Sequence, residues 1–356
     1  MQSTALWSER PLREVRMLHN IIRMRKTQMK IVEAASDAEL AKVQKGCVLT
    51  IGNFDGVHIG HREILTAAKQ TAAERRTQLV VMTFEPHPLA VLHPQKKPGI
   101  LTSLVLKKHL LTEAGVDCLY IVKSTQQLLS LSPDDYVEQF IVRNVQPNIV
   151  VEGESFNFGS DRGGSVRTLQ ELGPGKGFEV MVVEAKEVRL STGQTVRVSS
   201  TLIRGMLKTG SVADAAVALS RPYRLIGQIV PGQGKGKQLG FPTANLGPPD
   251  QLVPADGVYA GFVEIADSEE KVCAAGEKIP AALSLGRAQT LGSNIGQLIE
   301  AHLLTDEVGD LYGRWLAMDF IDRIRSQQKF DTEKDLAAQI AKDCKKAKQI
   351  LAKEPQ

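Results

Sequence analysis

Gly46-Cys47-Val48-Leu49-Thr50-Ile51-Gly52-Asn53-Phe54-Asp55-Gly56-Val57-His58-Ile59-Gly60-His61 is the stretch on which the fold turns. Val48 to Ile51 read as a short apolar strand and Gly52 to Gly56 as a glycine-punctuated turn. A helix follows, with His58 and His61 on one face of its first turn. A strand that runs through such a turn into a helix leaves backbone N–H groups unpaired and aimed at one point. The positive end of the helix dipole adds to them. The result is an anion site, and two imidazoles beside it suit a polyphosphate. Gly60 lets the backbone approach that phosphate closely. The competing reading is a tight turn carrying two solvated histidines.

From this stretch to about residue 186 the chain alternates strand with helix. Apolar, β-branched runs occur at 47–51, 79–84, 117–122, 148–152 and 180–184, with helical stretches at about 60–74, 104–114, 134–143 and 165–172. The runs are continuous rather than alternating, which predicts strands buried on both faces. That pattern gives a parallel sheet with right-handed crossovers, a Rossmann-like α/β unit whose ligands gather at the carboxyl ends of the strands. The turn after the first run, Glu85-Pro86-His87-Pro88 after the second, and the loop from Gly153 to Gly164 then open onto one rim. Further on, Ser199, Ser200 and Thr201 open a helix. They are good N-caps, and Arg204 lies one turn later on their face. Hydroxyls, helix N-terminus and guanidinium together offer a second grip on phosphate.

After a helical link at 205–223 the rhythm changes. Short β-rich segments at 224–230, 257–264, 280–285, 298–304 and 312–321 are spaced by Gly, Pro and Asp turns, the pattern of an antiparallel barrel or sandwich. One amphipathic helix closes the chain, with Leu336, Ile340, Cys344, Ala347 and Leu351 as a packing stripe. Within this half, Gly232 to Gly240 alternates glycines with Lys235 and Lys237, a basic flap suited to phosphate in which Gly234, Lys235 and Gly236 are the candidate contacts. The spacing is not that of a Walker A loop. Thr243 and Asn245 are two apart, so on a strand both face one way and offer hard oxygen ligands for Mg²⁺. Glu300 and His302 share a face by the same argument. A carboxylate beside a phosphate site is a candidate general base.

Composition narrows the classes. A chain of 356 residues with 42% hydrophobic and 24% charged residues suits two soluble domains. No apolar run reaches membrane-spanning length, and the four scattered cysteines form no metal or disulfide pattern, which fits a reducing cytoplasm. The net charge of +4 is concentrated at the start. Residues 1–30 hold seven basic and two acidic residues, leaving 37 basic and 38 acidic elsewhere. A neutral body with 5% aromatics gives no reason to expect nucleic acid as a partner.

With both clusters in view, residues 30–352 resemble the prokaryotic bifunctional riboflavin kinase/FAD synthetases. The markers stand in that family's order. They are 52–61, Thr83-Phe84-Glu85-Pro86-His87-Pro88, Phe156-Asn157-Phe158-Gly159, Ser199 to Arg204, Gly240-Phe241-Pro242-Thr243-Ala244-Asn245, Gly257-Val258-Tyr259-Ala260 and Asp310-Leu311-Tyr312-Gly313. Residues 1–30, a basic, Arg-rich extension without period, read as a disordered arm, a weak targeting peptide or an over-long translation start, and 205–223 as a linker helix; the resemblance implies an FMN adenylyltransferase domain at 31–204 and a six-stranded riboflavin kinase barrel at 224–352. It implies ATP, riboflavin and FMN as substrates and Mg²⁺ as cofactor. His58 and His61 would contact the ATP phosphates, held also by Gly52, Asn53, Phe54, Asp55, Gly56, Ser199, Ser200, Thr201 and Arg204. Thr243 and Asn245 would carry the kinase Mg²⁺–ATP, with Glu300 as base. It leaves self-association open. The chain departs from the family at Gly286-Arg287-Ala288-Gln289-Thr290, at Ser155 and at Pro231. Two alternatives stand beside the bifunctional enzyme: an adenylyltransferase with an impaired kinase half, and a flavin-binding protein without turnover.

Overall fold

The computed structural model describes residues 29–34, 44–232, 243–274, 276–287, 297–305 and 311–354. Strands β1 (Lys30–Ala34), β2 (Val48–Ile51), β3 (Leu79–Glu85), β4 (Cys118–Lys123), β5 (Ile149–Gly153) and β6 (Glu179–Val183) form one parallel sheet in the order β1-β4-β3-β2-β5-β6. All four residues of β2 are buried, as are the first six of β3. Each fully buried aliphatic side chain contributes about 1.5–3 kcal/mol, so packing on two faces anchors a strand this short. After β2 the chain adds β3 and β4 on one side and then β5 and β6 on the other. The end of β2 is therefore the switch point of the sheet, where a crevice opens. Helices α1 (Ile59–Glu74), α2 (Leu104–Glu113) and α3 (Val166–Lys176) are among those that cover the sheet.

Three details differ from the sequence expectation. Met29 is buried and Lys30 begins β1, so these two residues belong to the sheet rather than to the extension, whose residues 1–28 lie outside the described residues. The helix expected at 134–143 is a short α-turn, Pro133–Asp135, followed by a π-helix at Tyr136–Val142. The linker at 205–223 is two helices. Helix α4 (Ser200–Thr209) stops at Gly210, whose φ of +81° is left-handed, and α5 (Val212–Leu219) ends at Ser220 before Pro222.

The second half is a closed antiparallel barrel of β7 (Tyr223–Val230), β8 (Thr243–Leu246), β9 (Gly257–Ala266), β10 (Ile279–Arg287), β11 (Gln297–Leu303) and β12 (Trp315–Arg325). Its order is β7-β8-β11-β10-β9-β12, with β12 closing onto β7. Closure leaves no free edge, which is the reason to prefer a barrel over an open sheet. The interior is apolar, with Leu225, Ala244, Leu246, Leu283, Ala301 and Phe320 in one cluster. Helix α6 (Glu333–Leu351) lies outside and covers Ala260 and Ala282 with the stripe Ile340, Cys344, Ala347 and Leu351.

The halves share a core rather than a tether. Ile203, Leu207, Ala215 and Leu219 of α4 and α5 belong to the barrel's own cluster, and Leu101 joins them. Gln251 fastens the seam. Its amide donates to the carbonyls of Leu101 (3.0 Å) and Arg224 (2.8 Å), and its oxygen accepts from the N–H of Ile226 (3.0 Å). Among the described residues no helix is long and apolar enough to cross a membrane.

Candidate functional sites

The first site is the turn between β2 and α1. It is conformationally strained: Phe54 and Val57 take φ of +46° and +38°, and Gly56 takes +88°. For a β-branched residue such as Val57 this costs about 1–3 kcal/mol and persists only where the surroundings enforce it. They do so through Asp55. Its buried carboxylate accepts from the N–H of Leu101 (2.8 Å) and Thr102 (3.1 Å) and from the Thr102 hydroxyl, and it pairs with Arg204 at 2.5 Å. Gly56 N–H donates to the Thr102 hydroxyl (3.2 Å), and a Cβ on Gly56 would meet Leu101.

The strain presents two histidines. Their rings stack with centroids 3.6 Å apart and 15° between planes, and Phe54 meets His61 edge-on at 5.2 Å. His58 caps α1, its Nδ1 accepting from His61 N–H, so the His58 proton resides on Nε2, which has no partner among the described residues. Burial pushes His58 down to about 4, and burial together with His58 and Lys107 pushes His61 well below the ordinary imidazole range. Both rings are neutral at pH 7. His61 Nδ1 is buried with no hydrogen-bond partner among the described residues, and neither Ile59 nor Gly60 N–H has a protein acceptor there. A Cβ on Gly60 would lie 3.3 Å from the His58 ring, so this glycine makes room for the imidazole stack rather than for a phosphate.

The other expected contacts divide. Gly52 N–H is used by the Met82 carbonyl, so it is no anion donor. The Asn53 carbonyl accepts from the Thr83 hydroxyl (3.2 Å), and its side-chain nitrogen lies 3.3 Å from His87 Nε2, while its Oδ1 is buried and unpartnered among the described residues. Ser199 is the N-cap of α4, and Ser200 donates to the Asp55 carbonyl (2.8 Å). Thr201 is exposed beside them. Arg204 donates through Nε to the Gly99 carbonyl (2.7 Å) and through Nη2 to Asp55, keeping Nη1 uncommitted among the described residues. Helix α4 is thus pinned to the strained turn. Because removing one partner of a buried ion pair strands the other charge, Arg204→Met is expected to destabilise the chain by about 3 kcal/mol. Denaturant unfolding checks this, and an unchanged midpoint would refute the strut.

Two side chains at this site were missed. His87 sat in a segment assigned only to the rim. Lys107, 6% exposed, is one of two adjacent lysines in α2 and carries no sequence signal of burial.

The second site lies on the outer face of the barrel. Asn245 pairs across to Glu300 and Thr243 to His302, so four polar side chains share one face while Ala244 and Ala301 point into the core. Thr243 Oγ1 lies 2.9 Å from His302 Nδ1. Burial pushes His302 down to about 4, so its ring is neutral. Asn245 Oδ1 is buried with no partner among the described residues. Glu300 has its carboxyl pushed up by burial alone. Gly232, which begins the basic flap, lies so close that a Cβ would clash with the Asn245 amide. Gly234, Lys235 and Gly236 lie outside the described residues, as do Ala288, Gln289 and Thr290 of the departure noted above.

Comparison with known proteins agrees with this division. A family model described as FAD synthetase matches residues 40–202, and one described as riboflavin kinase matches residues 219–351. The bifunctional riboflavin kinase/FMN adenylyltransferase of Escherichia coli (strain K12) is 35% identical over 315 residues, covering 88% of this chain and 96% of that protein. The protein of the same description from Bacillus subtilis (strain 168) is 35% identical over 325 residues, covering 90% and 97%. A solved structure described as a macrolide-efflux protein from Streptococcus pneumoniae superposes with a TM-score of 0.77 at 28% identity, over 90% of this chain and 99% of that one. With both halves matched and 88–90% of its length shared with these relatives, the chain belongs to the family of bifunctional riboflavin kinase/FMN adenylyltransferases.

Proposed function

We propose that the strained histidine turn is where FMN is adenylylated and that the outer-face ladder of the barrel is where riboflavin is phosphorylated, each with its own ATP. The observation that carries this reading is the stacked, neutral His58–His61 pair, set apart from Thr243, Asn245, Glu300 and His302. The functional division falls at residues 31–204 and 224–352, with 205–223 between.

In adenylyl transfer the FMN phosphate is already a nucleophile, so the protein has to align it on the α-phosphorus and absorb charge on the leaving pyrophosphate. Neutral imidazole donors, the N–H groups of Ile59 and Gly60, Thr201 and Arg204 Nη1 suit that task. Asp55, Ser200 and Gly56 act through the turn they hold. Because neither histidine changes charge near neutrality, the pH profile of FAD formation is expected to show near 6.5, the ordinary histidine value, only the second ionisation of the FMN phosphate, which falls at about 6, and His58→Gln should leave that inflection in place. Stability follows the same shift. The folded pKa of His58 lies below the unfolded one, so its contribution is complete above about 6.5 and is lost as pH falls toward about 4. His58→Gln should flatten that part of the stability curve.

In the kinase step the nucleophile is a neutral alcohol. Glu300 takes the proton of the riboflavin hydroxyl as its oxygen bonds to the γ-phosphorus and ADP leaves. A carboxyl pushed up by burial is better matched to that task than a solvated one. Thr243 and the unpartnered Asn245 Oδ1 fit Mg²⁺, which takes few protein oxygens and completes its shell with phosphate and water. When bound it neutralises phosphate charge. ATP and flavins are the partners in this reading, nucleic acid has no part in it, and a cytoplasmic setting suits a supply of both substrates. The test is to alter one residue of each site and read FMN and FAD separately by chromatography.

A further inference from the structure

Lysines on this protein's surface behave in the usual way. Lys108 reaches Glu33 at 3.5 Å and Lys69 reaches Asp117 at 2.7 Å, each with its head in water. Lys107 does not. Its stem is buried and the residue is 6% exposed, and among the described residues no hydrogen bond or ion pair holds its ammonium, which keeps a narrow opening to solvent. An ammonium drawn largely out of water with no protein partner is unfavourable, so a side chain kept in this state points to a charge supplied from outside.

Its surroundings say where that charge arrives. Lys107 stands on the first turns of α2, and the residues just before that helix, Leu101 and Thr102, hang from the Asp55 carboxylate. The lysine is therefore fixed relative to the histidine turn. Asp55 and Glu85 are the acidic groups that act on it, and it acts in turn on His61 and His87. Neither carboxylate completes it. Asp55 is already taken by Arg204, Leu101 and Thr102, and Glu85 is exposed at the end of β3. Burial holds the lysine below its ordinary range.

We infer that Lys107 is a further catalytic residue of adenylyl transfer, its ammonium contacting the β- and γ-phosphates of ATP and then the departing pyrophosphate. This rests on adenylylation occurring at the histidine turn. An FMN phosphate oxygen bonds to the α-phosphorus, the bond from that phosphorus to the bridging oxygen breaks, and the electron pair leaves on pyrophosphate. Lys107 offsets the charge and transfers no proton.

The test uses the full-length chain with Mg²⁺, assayed forward with FMN and ATP and in reverse with FAD and pyrophosphate. Lys107→Gln is expected to lower kcat/KM for both ATP and pyrophosphate by about 10²-fold, with KM for FMN and FAD moved less than about twofold. Lys107→Arg restores part of the loss because it keeps the charge. Equal rises in KM for phosphate and flavin substrates, or no loss at all, would overturn the assignment. FMN formation by the barrel reports folding in the same preparation. Should Lys107→Gln not fold, Lys107→Arg decides alone: a raised KM for pyrophosphate with FAD unmoved supports the contact, and an unchanged KM refutes it. If the unaltered chain made no FAD, adenylylation itself would fail. If it made FAD and Lys107→Gln made as much, only the lysine's role would.

Discussion

His61→Ala is expected to lower FAD formation from FMN and ATP by about 10²–10³-fold, the usual effect of removing one donor aimed at developing charge. FMN formation from riboflavin should stay near its original rate. The size follows from two observations. His61 Nδ1 is buried without a partner among the described residues, and the ring is held by the stack on His58 and by the edge of Phe54. Such a group reorganises little as the reaction proceeds, and its full interaction is available in the transition state. His61→Gln, which keeps a donor but not the stacked ring, should fall between. Product chromatography with each flavin supplied separately distinguishes the activities. Loss of both together would contradict two separate sites.

Glu300→Ala should do the reverse, cutting FMN formation by about 10²–10⁴-fold, the range for a positioned general base, while FAD still forms from supplied FMN. Glu300→Gln keeps the shape and removes the proton acceptor, so it should be nearly as damaging. A Gln variant as active as the original would end Glu300's candidacy as base. Glu300 lies directly opposite Asn245 in the ladder, so the alanine variant also exposes Asn245 to water. A rise in KM for ATP in alanine but not glutamine would measure that second effect.

Much of this was legible in one dimension because it rests on short spacings. Continuous apolar runs announced β2, β3, β4 and β5, buried almost throughout; the run at 180–184 is β6, but as an edge strand it is only half-buried, with Met181 exposed, because among the described residues no further strand covers its outer side. The edge strand β1 was not read, since five residues beside a basic stretch carry no period long enough to see. Thr243 with Asn245 and Glu300 with His302 were placed on shared faces by alternation. The structure adds that the two pairs face each other, through a register between strands far apart in the chain.

The sequence alone determined the two architectures, the turn with its histidines and the ladder with its hydroxyl, amide and carboxylate. These depend on residues two to four apart, where backbone geometry converts spacing directly into direction. Tertiary structure alone decided what each polar group is free to do. Asp55 reads as a ligand in sequence, yet it is spent on Leu101, 46 residues away, and on Arg204, 149 residues away. Lys107 carries no local signal of burial, yet in the fold it is 6% exposed. Partnership and burial are set by how layers meet, and no local period encodes that.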